Sequence, residues 1–296
     1  MYVSTTRTVN DRSPSDGSAA SPMVAPTLEA RDLAYRVAGT TLVSDISLRL
    51  HPGEVLAVIG PNGAGKTTLL HLLSGDLTPS RGVVLLDGMP LAQLDAAAQA
   101  LRRAVLRQQM SMAFPFTALE VVLMGRYPHL RGQAESAQDI AIARQSLERT
   151  EALSFAARTF PTLSGGEQTR VTLARVLAQT TPILLLDEPT AALDLRHQHA
   201  TLQLARELAA AGGAVLAILH DLNLAASYAD RIGILHHGRL VALGTPWEVL
   251  RADVLSQVYG VPVTVQPHPH LTAPLVLVMP DNHHSPDIRL YEGTRS

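Results

Sequence analysis

The strongest chemical signal in the 296-residue sequence is a glycine-rich stretch that contains the chain's single lysine. It fits the pattern G-x-x-x-x-G-K-[ST], with an apolar run before it and a leucine-rich helical pattern after it. The stretch consists of Gly60, Pro61, Asn62, Gly63, Ala64, Gly65, Lys66, Thr67 and Thr68. Glycines let backbone N–H groups surround an oxyanion, and a helix N-terminus adds about half a positive charge. The spacing predicts a phosphate-binding loop in which Lys66 contacts the β- and γ-phosphates and Thr67 ligates Mg²⁺.

A chance glycine turn with a surface lysine is the alternative explanation of this stretch. Lys66 is the only lysine among 24 basic residues, so arginine serves wherever the chain needs a generic cation. A compact ammonium group is retained where phosphates would bind, and it differs chemically from a guanidinium group. The single lysine therefore favours nucleotide binding.

Two carboxylates follow a second apolar run, Ile183–Leu186. Ligands of parallel sheets bind beyond the carboxyl ends of the strands, so Asp187 is expected beside the Mg²⁺. Glu188 is expected to face the γ-phosphate, where a carboxylate orients or deprotonates the attacking water. A solvated acidic strand end is the alternative for this pair taken alone, but the phosphate loop in the same chain favours the catalytic interpretation.

A second glycine-rich helix start has the sequence Leu-Ser-Gly-Gly-Glu. Its residues after the leucine are Ser164, Gly165, Gly166 and Glu167. Such a helix start binds an anion, and a serine in front of a helix equally serves as an N-cap. The residues alone leave both interpretations open.

These groups must be positioned by strands that alternate with helices. Three apolar runs predict strands buried on both faces of a parallel sheet, at 55–59, 183–186 and 215–219. Helical patterns lie between and after them, at 67–73, 137–149, 167–178 and 197–211. The alternation predicts an α/β fold. Short strands are expected between 27 and 50, where Ile46, Leu48 and Leu50 alternate with polar residues, and 109–163 is expected to be a helical insertion.

Composition excludes several classes of function. The 24 basic and 26 acidic side chains give a net charge of −2, which provides no general attraction to nucleic acid. The absence of cysteine excludes disulfides, thiolate metal sites and cysteine nucleophiles. No apolar run approaches the roughly 18 residues of a spanning helix, and the first 26 residues lack the apolar stretch of a signal peptide. Residues 1–26 are expected to be a disordered tail, and membrane association is expected to require a partner.

Together the three motifs resemble those of ATP-binding-cassette ATPases. The phosphate loop, the Leu-Ser-Gly-Gly-Glu signature and the acidic pair occur in that family's order over about residues 28–260. The resemblance implies a P-loop NTPase core with a mainly parallel sheet, an N-terminal antiparallel β subdomain and an inserted α-helical subdomain. It also implies ATP and Mg²⁺ as cofactors and ATP hydrolysis as the activity.

Further roles follow from this resemblance. Tyr35 is expected to stack on adenine, and Asp194 resembles a residue of the loop that communicates across a dimer. Gln108 is expected to sense Mg²⁺ and the attacking water, although the adjacent Gln109 leaves its assignment ambiguous by one residue. The family often has proline where this chain has Arg107. His220, which follows the third buried strand and precedes a helix at 221–228, is expected to contact the γ-phosphate.

The family resemblance also implies partners. In that family the signature motif completes the ATP site of the opposite subunit, so a chain with one phosphate loop and one signature is expected to form a homodimer. Two permease subunits and, indirectly, a periplasmic substrate-binding protein are the other expected partners, with no role for nucleic acid. The expected location is peripheral, on the cytoplasmic face of a bacterial inner membrane.

The sequence of the expected helical insertion resembles one group within the family. Phe-Pro-Phe-Thr at 114–117 and Val-Leu-Met-Gly-Arg-Tyr-Pro-His at 122–129 resemble the ATPases of importers for iron chelates, cobalamin and haem, and within them most closely the haemin branch. Import of a ferric siderophore or of cobalamin is the alternative, and a soluble cassette ATPase of the iron–sulfur assembly type is the second. Phe114 and Phe116 are candidates for an apolar groove that receives a permease helix, or for ordinary subdomain core.

The expected organisation is thus a tail, one ATPase domain over 27–260 with its helical subdomain at about 109–163, and a C-terminal extension over 261–296. The extension contains His268, His270, His283 and His284. These histidines are expected to be solvated tail residues and not ligands of haem or metal.

Overall fold

The computed structural model describes residues 27–107, 114–130 and 132–280. The strands of these ranges are β1 Leu28–Val37, β2 Thr40–Leu50, β3 Val55–Ile59, β4 Arg81–Leu86, β5 Met89–Pro90, β6 Arg103–Leu106, β7 Ile183–Asp187, β8 Ala214–Ile218, β9 Arg231–His236, β10 Arg239–Gly244, β11 Val263–Pro267 and β12 Pro274–Val278. The α-helices are α1 Lys66–Leu73, α2 Ala96–Ala100, α3 Ala118–Leu123, α4 Tyr127–Leu130, α5 Ala137–Arg149, α6 Gly165–Ala178, α7 Leu195–Ala210, α8 Leu222–Tyr228, α9 Pro246–Val249 and α10 Ala252–Tyr259. The predictions for the tail, for Gln108 and Gln109, and for His283 and His284 lie outside the described residues.

A six-stranded sheet forms the centre of the fold, in the order β10-β9-β3-β8-β7-β6. Its strands are parallel except for β10, which is antiparallel to β9. Every residue of β3, β7 and β8 is buried, because helices or the second sheet cover both faces. The three predicted buried strands are confirmed.

A second sheet of four antiparallel strands packs over the central one, in the order β2-β1-β4-β5. Ile46, Leu48 and Leu50 of β2 are buried, and the residues between them are exposed, as the period of two predicts. This face joins α1 and the inner side chains of β3 and β8 in one apolar cluster. The predicted fold class, an α/β core with an antiparallel β subdomain, is confirmed.

Helices α3, α5 and α6 pack together around a separate apolar cluster that includes Val121, Leu147 and Val171. Opposite sides of α6 belong to different clusters, because Leu173 and Val176 pack into the core beneath the central sheet. Helix α6 therefore connects the helical region to the sheet.

The chain after residue 260 continues as a hairpin of β11 and β12, whose Val276 is buried in the central core. His268 and His270 lie in the connection between these strands, where the Nδ1 atom of His268 accepts hydrogen bonds from the backbone N–H groups of His270 and Leu271. His268 is half-buried and His270 is exposed, so His270 is solvated as expected, but both belong to a hairpin that packs on the core through Val276 and not to a tail.

Within the described ranges, the helices are all too short or too polar to traverse a lipid bilayer. The same residues contain no group of three or more His, Cys, Asp or Glu side chains arranged to hold a metal ion.

Candidate functional site

Two of the three predicted catalytic residues, Glu188 and His220, meet at the carboxyl edge of the central sheet. Strand β8 lies between β3 and β7, and its Ile218 is level with Val58 of β3 and Asp187 of β7. The phosphate loop leaves β3, the acidic pair ends β7, and His220 follows β8 two residues after Ile218. Because adjacent parallel strands end at one edge, three distant chain segments contribute to one site.

Two glycines of the phosphate loop are required by close backbone contacts. Gly60 has φ +149°, and a Cβ atom there would lie 2.1 Å from the carbonyl oxygen of Leu235. Gly65 has φ +98°, and a Cβ atom there would lie 2.7 Å from the carbonyl oxygen of Leu42. Any larger residue would displace the backbone of β9 or β2. The loop is thus held between both sheets.

Lys66 begins α1, and its ammonium group is buried within the loop. Its Nζ donates hydrogen bonds to the carbonyl oxygens of Gly60 at 2.8 Å and Pro61 at 3.0 Å. Burial lowers the pKa of Lys66, while the carboxylates of Glu188 and Asp187 act in the opposite direction. The ammonium group therefore lies near both acids, beneath a loop whose exposed residues are Asn62, Gly63 and Thr67.

Asp187 has the donor geometry of a cation ligand. It is buried, and its Oδ1 atom has no hydrogen-bond partner among the described residues. Burial raises its pKa, as does the Glu188 carboxylate, while the hydroxyl of Thr67 lowers it through a hydrogen bond. An unsatisfied buried carboxylate oxygen is costly, and carboxylate and hydroxyl oxygens are the ligands that Mg²⁺ prefers. Thr67 and Asp187 therefore fit the predicted Mg²⁺.

Glu188 and His220 form a pair beside this acid. The Nε2 atom of His220 lies 2.5 Å from the Oε1 atom of Glu188. Glu188 has φ +49°, a conformation that is uncommon for a residue with a side chain. Strain of this kind persists where the surrounding structure holds it, and it clusters at functional sites. The turn after β7 thus directs the carboxylate at His220, just beyond the end of β8.

The signature residues form a helix cap. The Ser164 side chain caps α6 by accepting from the backbone N–H of Glu167, and the Glu167 carboxylate accepts from the backbone N–H of Ser164 at 2.7 Å. Arg158 also contacts Glu167, at 3.0 Å. A Cβ atom on Gly166 would lie 3.1 Å from the carbonyl oxygen of Ala192, whereas one on Gly165 would meet nothing within 4 Å. The N-cap interpretation is confirmed, and it leaves the exposed face of Gly165 open.

The structure separates the signature from the phosphate loop of the same chain. Helix α6 packs on α3, α5 and the edge strand β6. Two strands, β7 and β8, lie between β6 and β3. At about 4.8 Å per strand, β6 lies about 14 Å from β3. The signature thus begins a helix that packs beside β6, whereas the phosphate loop follows β3.

The remaining predicted residues lie on other elements, Tyr35 on β1 and Asp194 at the start of α7. Tyr35 is half-buried in β1 opposite Val43, next to the Leu42 that contacts Gly65. Asp194 is exposed and caps α7, accepting from the backbone N–H of His197 at 2.9 Å. That hydrogen bond, followed by one from the side chain of His197, lowers the pKa of Asp194.

Sequence reasoning missed Asn223, which lies three residues after His220. Its Nδ2 donates to the carbonyl oxygen of Val276 at 3.1 Å, and its Oδ1 accepts from the backbone N–H of Val276 at 2.8 Å. The side-chain amide thus pairs with the main chain of β12 and attaches the C-terminal hairpin to α8. An asparagine in the first turn of a helix gives no signal in a single sequence for a partner 53 residues later.

The two phenylalanines of the predicted groove differ in exposure. Phe114 is 67% exposed, whereas Phe116 packs against the helical cluster. Their rings meet edge to face with centroids 6.2 Å apart. Phe116 is therefore subdomain core, and Phe114 is the exposed member of the pair.

A glycine loop follows the buried strand β3 and contains a buried lysine, and an acidic pair ends the next strand but one in the sheet. These features define a P-loop nucleotide-binding domain. The family model described as ABC transporter matches residues 43–191 of this chain. The chain belongs to this family, and it is an ABC-type ATPase that binds ATP.

Individual proteins that resemble this chain are more specific than the family model. The protein named hemin import ATP-binding protein HmuV of Streptomyces coelicolor is 51% identical over 257 residues, covering 87% of this chain and 90% of that protein. A metal-chelate type ABC transporter in an inward-facing conformation has a TM-score of 0.74 at 27% identity, over 86% of this chain and 97% of that one. The dimeric post-hydrolysis cassette MJ0796 bound to ADP and Pi has a TM-score of 0.67 at 29% identity, over 74% and 98%.

Proposed function

We propose that this chain is the ATP-hydrolysing, energy-coupling subunit of a haem importer. The observation that carries the haem assignment is the 51% identity, over 87% of the chain, with a protein named for hemin import. No residue of this chain needs to touch the cargo, so the assignment rests on similarity and not on chemistry. Ferric siderophore and cobalamin are the alternative cargoes.

The phosphate loop and the residues at the carboxyl edge of the sheet have different roles in ATP binding and hydrolysis. Backbone N–H groups of the loop and the Lys66 ammonium group bind the β- and γ-phosphates, which replace the two loop carbonyls as partners of Nζ. The Thr67 hydroxyl and the Asp187 carboxylate hold Mg²⁺, together with Gln108. Bound there, Mg²⁺ neutralises charge that develops on the phosphate oxygens.

Glu188 acts on the attacking water. Its carboxylate is fixed by the left-handed turn after β7 and by the contact with His220, so it is oriented before ATP arrives. Glu188 orients or deprotonates the water, and His220 contacts the γ-phosphate. Tyr35 stacks on the adenine ring.

Hydrolysis requires two copies of the chain. The proposed ATP site of one copy is completed by Ser164, Gly165, Gly166 and Glu167 of the second. Support comes from the position of the signature at the start of α6, a helix that packs beside β6 and not beside β3, where the loop lies, and from the dimeric cassette structure that resembles this chain. Asp194 contributes to communication between the two copies. ATP closes the dimer, and hydrolysis with product release reopens it.

Coupling requires a membrane partner. We infer two permease subunits, a periplasmic substrate-binding protein that meets the permease, and a peripheral position on the cytoplasmic face of the inner membrane. The exposed ring of Phe114, on the surface of the helical region, is a contact for the permease.

The first test concerns hydrolysis. Glu188→Gln keeps the shape of the side chain and removes its basicity, so turnover is expected to fall by about 10²- to 10⁴-fold. ATP binding is expected to persist, and the ATP-bound dimer to accumulate. Glu135→Gln, an exposed position in the helical region, is the matched control. Unchanged turnover in Glu188→Gln contradicts the assigned role.

The second test concerns the cargo. The chain is co-purified with its permease, and ATP-driven uptake into vesicles is compared for haem, cobalamin and a ferric siderophore. Haem uptake above the other two supports the proposal. Uptake of another cargo alone reassigns the importer, and stimulation by none favours the soluble-ATPase alternative.

A further inference from the structure

A short turn, which we call the linking turn, runs from Glu188 to Asp194 and joins two parts of the proposed site. Within it the backbone N–H of Leu193 donates to the carbonyl oxygen of Thr190 at 3.2 Å. Gln198, in the first turn of α7, donates from its side-chain amide to the carbonyl oxygens of Thr190 at 3.2 Å and Leu193 at 3.1 Å. The first turn of α7 therefore holds the linking turn with side-chain hydrogen bonds as well as through the chain.

His197 places one imidazole ring between two carboxylates. Its side chain is 19% exposed, in the first turn of α7. The Nδ1 atom lies 2.7 Å from the Oδ1 atom of Asp194, which also accepts from the backbone N–H of His197 at 2.9 Å. The Nε2 atom lies 3.8 Å from the Oε2 atom of Glu151. The ring therefore bridges the end of the linking turn and a residue that follows α5.

Glu151 is fixed to the helical region through its backbone. It has φ +53°, a left-handed conformation of the kind that ends helices, and its N–H donates to the carbonyl oxygen of Glu148 at 2.9 Å. Arg170 of α6 donates to the carbonyl oxygen of Glu151 at 2.7 Å. The carboxylate points the other way and accepts from Arg196 of α7 at 2.7 Å. Glu151 thus joins the end of α5 to the first turn of α7.

These contacts fix geometry more than they stabilise the fold. The Arg196 side chain is 74% exposed, and exposed ion pairs contribute little to stability because solvent screens them. The Glu151 carboxylate nevertheless faces two side chains of α7, Arg196 and His197. The imidazole continues the path to Asp194. Four side chains therefore form one series of contacts from the end of α5 to the linking turn.

We propose that Glu151 is a positioning residue that acts through His197, with Arg196, to set the orientation of Asp194. A displacement of α5 is then transmitted to the linking turn, whose other end is Glu188. The inference rests on the proposed function, in which Asp194 contributes to communication between the two copies. It assigns the residues by which the helical region reaches that communication.

The first test measures the positioning without reference to catalysis. Glu151→Gln keeps the shape of the side chain and removes its charge. Glu207→Gln is the matched control, because Glu207 of α7 pairs with Arg149 of α5 at 3.8 Å and so joins the same two helices. It lies about 15 Å further along α7 than His197.

Amide hydrogen exchange of the full chain without nucleotide is compared over residues 190–198. Loss of the Glu151 charge frees the imidazole, so the cap at Asp194 opens more often and exchange is expected to be at least fivefold faster in Glu151→Gln. Exchange in Glu207→Gln is expected to stay within twofold of the wild type. Equal exchange in the wild type and Glu151→Gln overturns the proposal.

The second test separates positioning from ATP binding. Turnover at saturating ATP is expected to fall at least fivefold in Glu151→Gln, whereas the dissociation constant for a fluorescent ATP analogue is expected to change less than twofold, because the phosphate loop is untouched. Glu207→Gln is expected to match the wild type in both. An equal fall of turnover in the two variants, or a loss of ATP affinity in parallel with turnover, shows a general structural role and overturns the proposal.

His197→Asn tests whether the ring must reach both carboxylates. The amide nitrogen of asparagine takes the place of Nδ1 beside Asp194, but the side chain is too short to approach Glu151. Turnover is expected to be as low as in Glu151→Gln, and the double variant is expected to be no slower than either single one, since both residues belong to one path. Turnover of wild-type size in His197→Asn, or losses that multiply in the double variant, overturns the proposal.

The two proposals fail in different ways. A wild-type chain that does not hydrolyse ATP refutes the proposed function. A wild-type chain that hydrolyses ATP, with equal turnover in Glu151→Gln, refutes the positioning role alone.

Discussion

Replacement of Gly60 by alanine tests whether the phosphate loop is held by its contact with β9. The new Cβ atom would lie 2.1 Å from the carbonyl oxygen of Leu235, and the backbone there has φ +149°. Strain at such a φ costs about 1–3 kcal/mol. Displacing a packed backbone adds about 1–3 kcal/mol. The free energy of unfolding is therefore expected to fall by about 2–6 kcal/mol.

Gly63→Ala is the matched control within the same loop. Gly63 also has a positive φ, +77°, but a Cβ atom there would meet nothing within 4 Å. Only the conformational cost applies, about 1–2 kcal/mol. Urea denaturation followed by circular dichroism, without nucleotide, measures both variants against the wild type. Equal losses of stability in the two variants would refute the reasoning, because the contact with Leu235 would then contribute nothing.

Two further predictions concern regions outside the loop. Hydrogen bonds from Ser136, with Arg126 next to it, lower the pKa of Asp139 from 3.8 to about 2. Because the folded-state pKa is lowered, the Asp139 carboxylate stabilises the fold at pH values above the unfolded-state pKa. The wild type is therefore expected to be more stable than Asp139→Asn at pH 7 and to lose this advantage as the pH falls from about 4 towards 2. Denaturation at pH 2 in which the full advantage persists contradicts the prediction. Asn223→Ala removes both hydrogen bonds to Val276, so the free energy of unfolding is expected to fall by about 1–3 kcal/mol. Amide hydrogen exchange in residues 263–278 is expected to become faster, and unchanged exchange there argues against the attachment of the hairpin to α8.

The parts of the fold that were predictable are those with a local signal. Strand β3 is apolar throughout and lies between a proline-glycine turn and the glycine loop, so its type and bounds follow from pattern alone. Helix α5 begins at a capping box formed by Ser136 and Asp139, which fixes its first residue in the sequence. Helix α6 begins two residues before the predicted start at residue 167, because Gly165 and Gly166 have low helix propensity and only the cap at Ser164 includes them in the helix.

The features that were not predictable depend on long-range pairing. Arg126 is buried with Asp139 at 2.9 Å and also donates to the carbonyl oxygen of Ala178, and no local pattern connects these three positions. At the site, residue types predicted the loop and the acids, whereas the contact between Glu188 and His220 required the strand order.

Strand β3 also has a consequence for synthesis of the protein. Both of its neighbours in the sheet come much later in the chain, since Val55 pairs with Val215 of β8, and Leu56 pairs with Arg231 of β9. At about 5–20 residues per second, a ribosome needs about 8–30 s to add the intervening residues. During that interval a fully apolar strand has two unpaired edges, the condition that promotes aggregation. Expression yield should therefore depend on the translation rate between residues 60 and 215 and on chaperones that shield these five residues in the nascent chain.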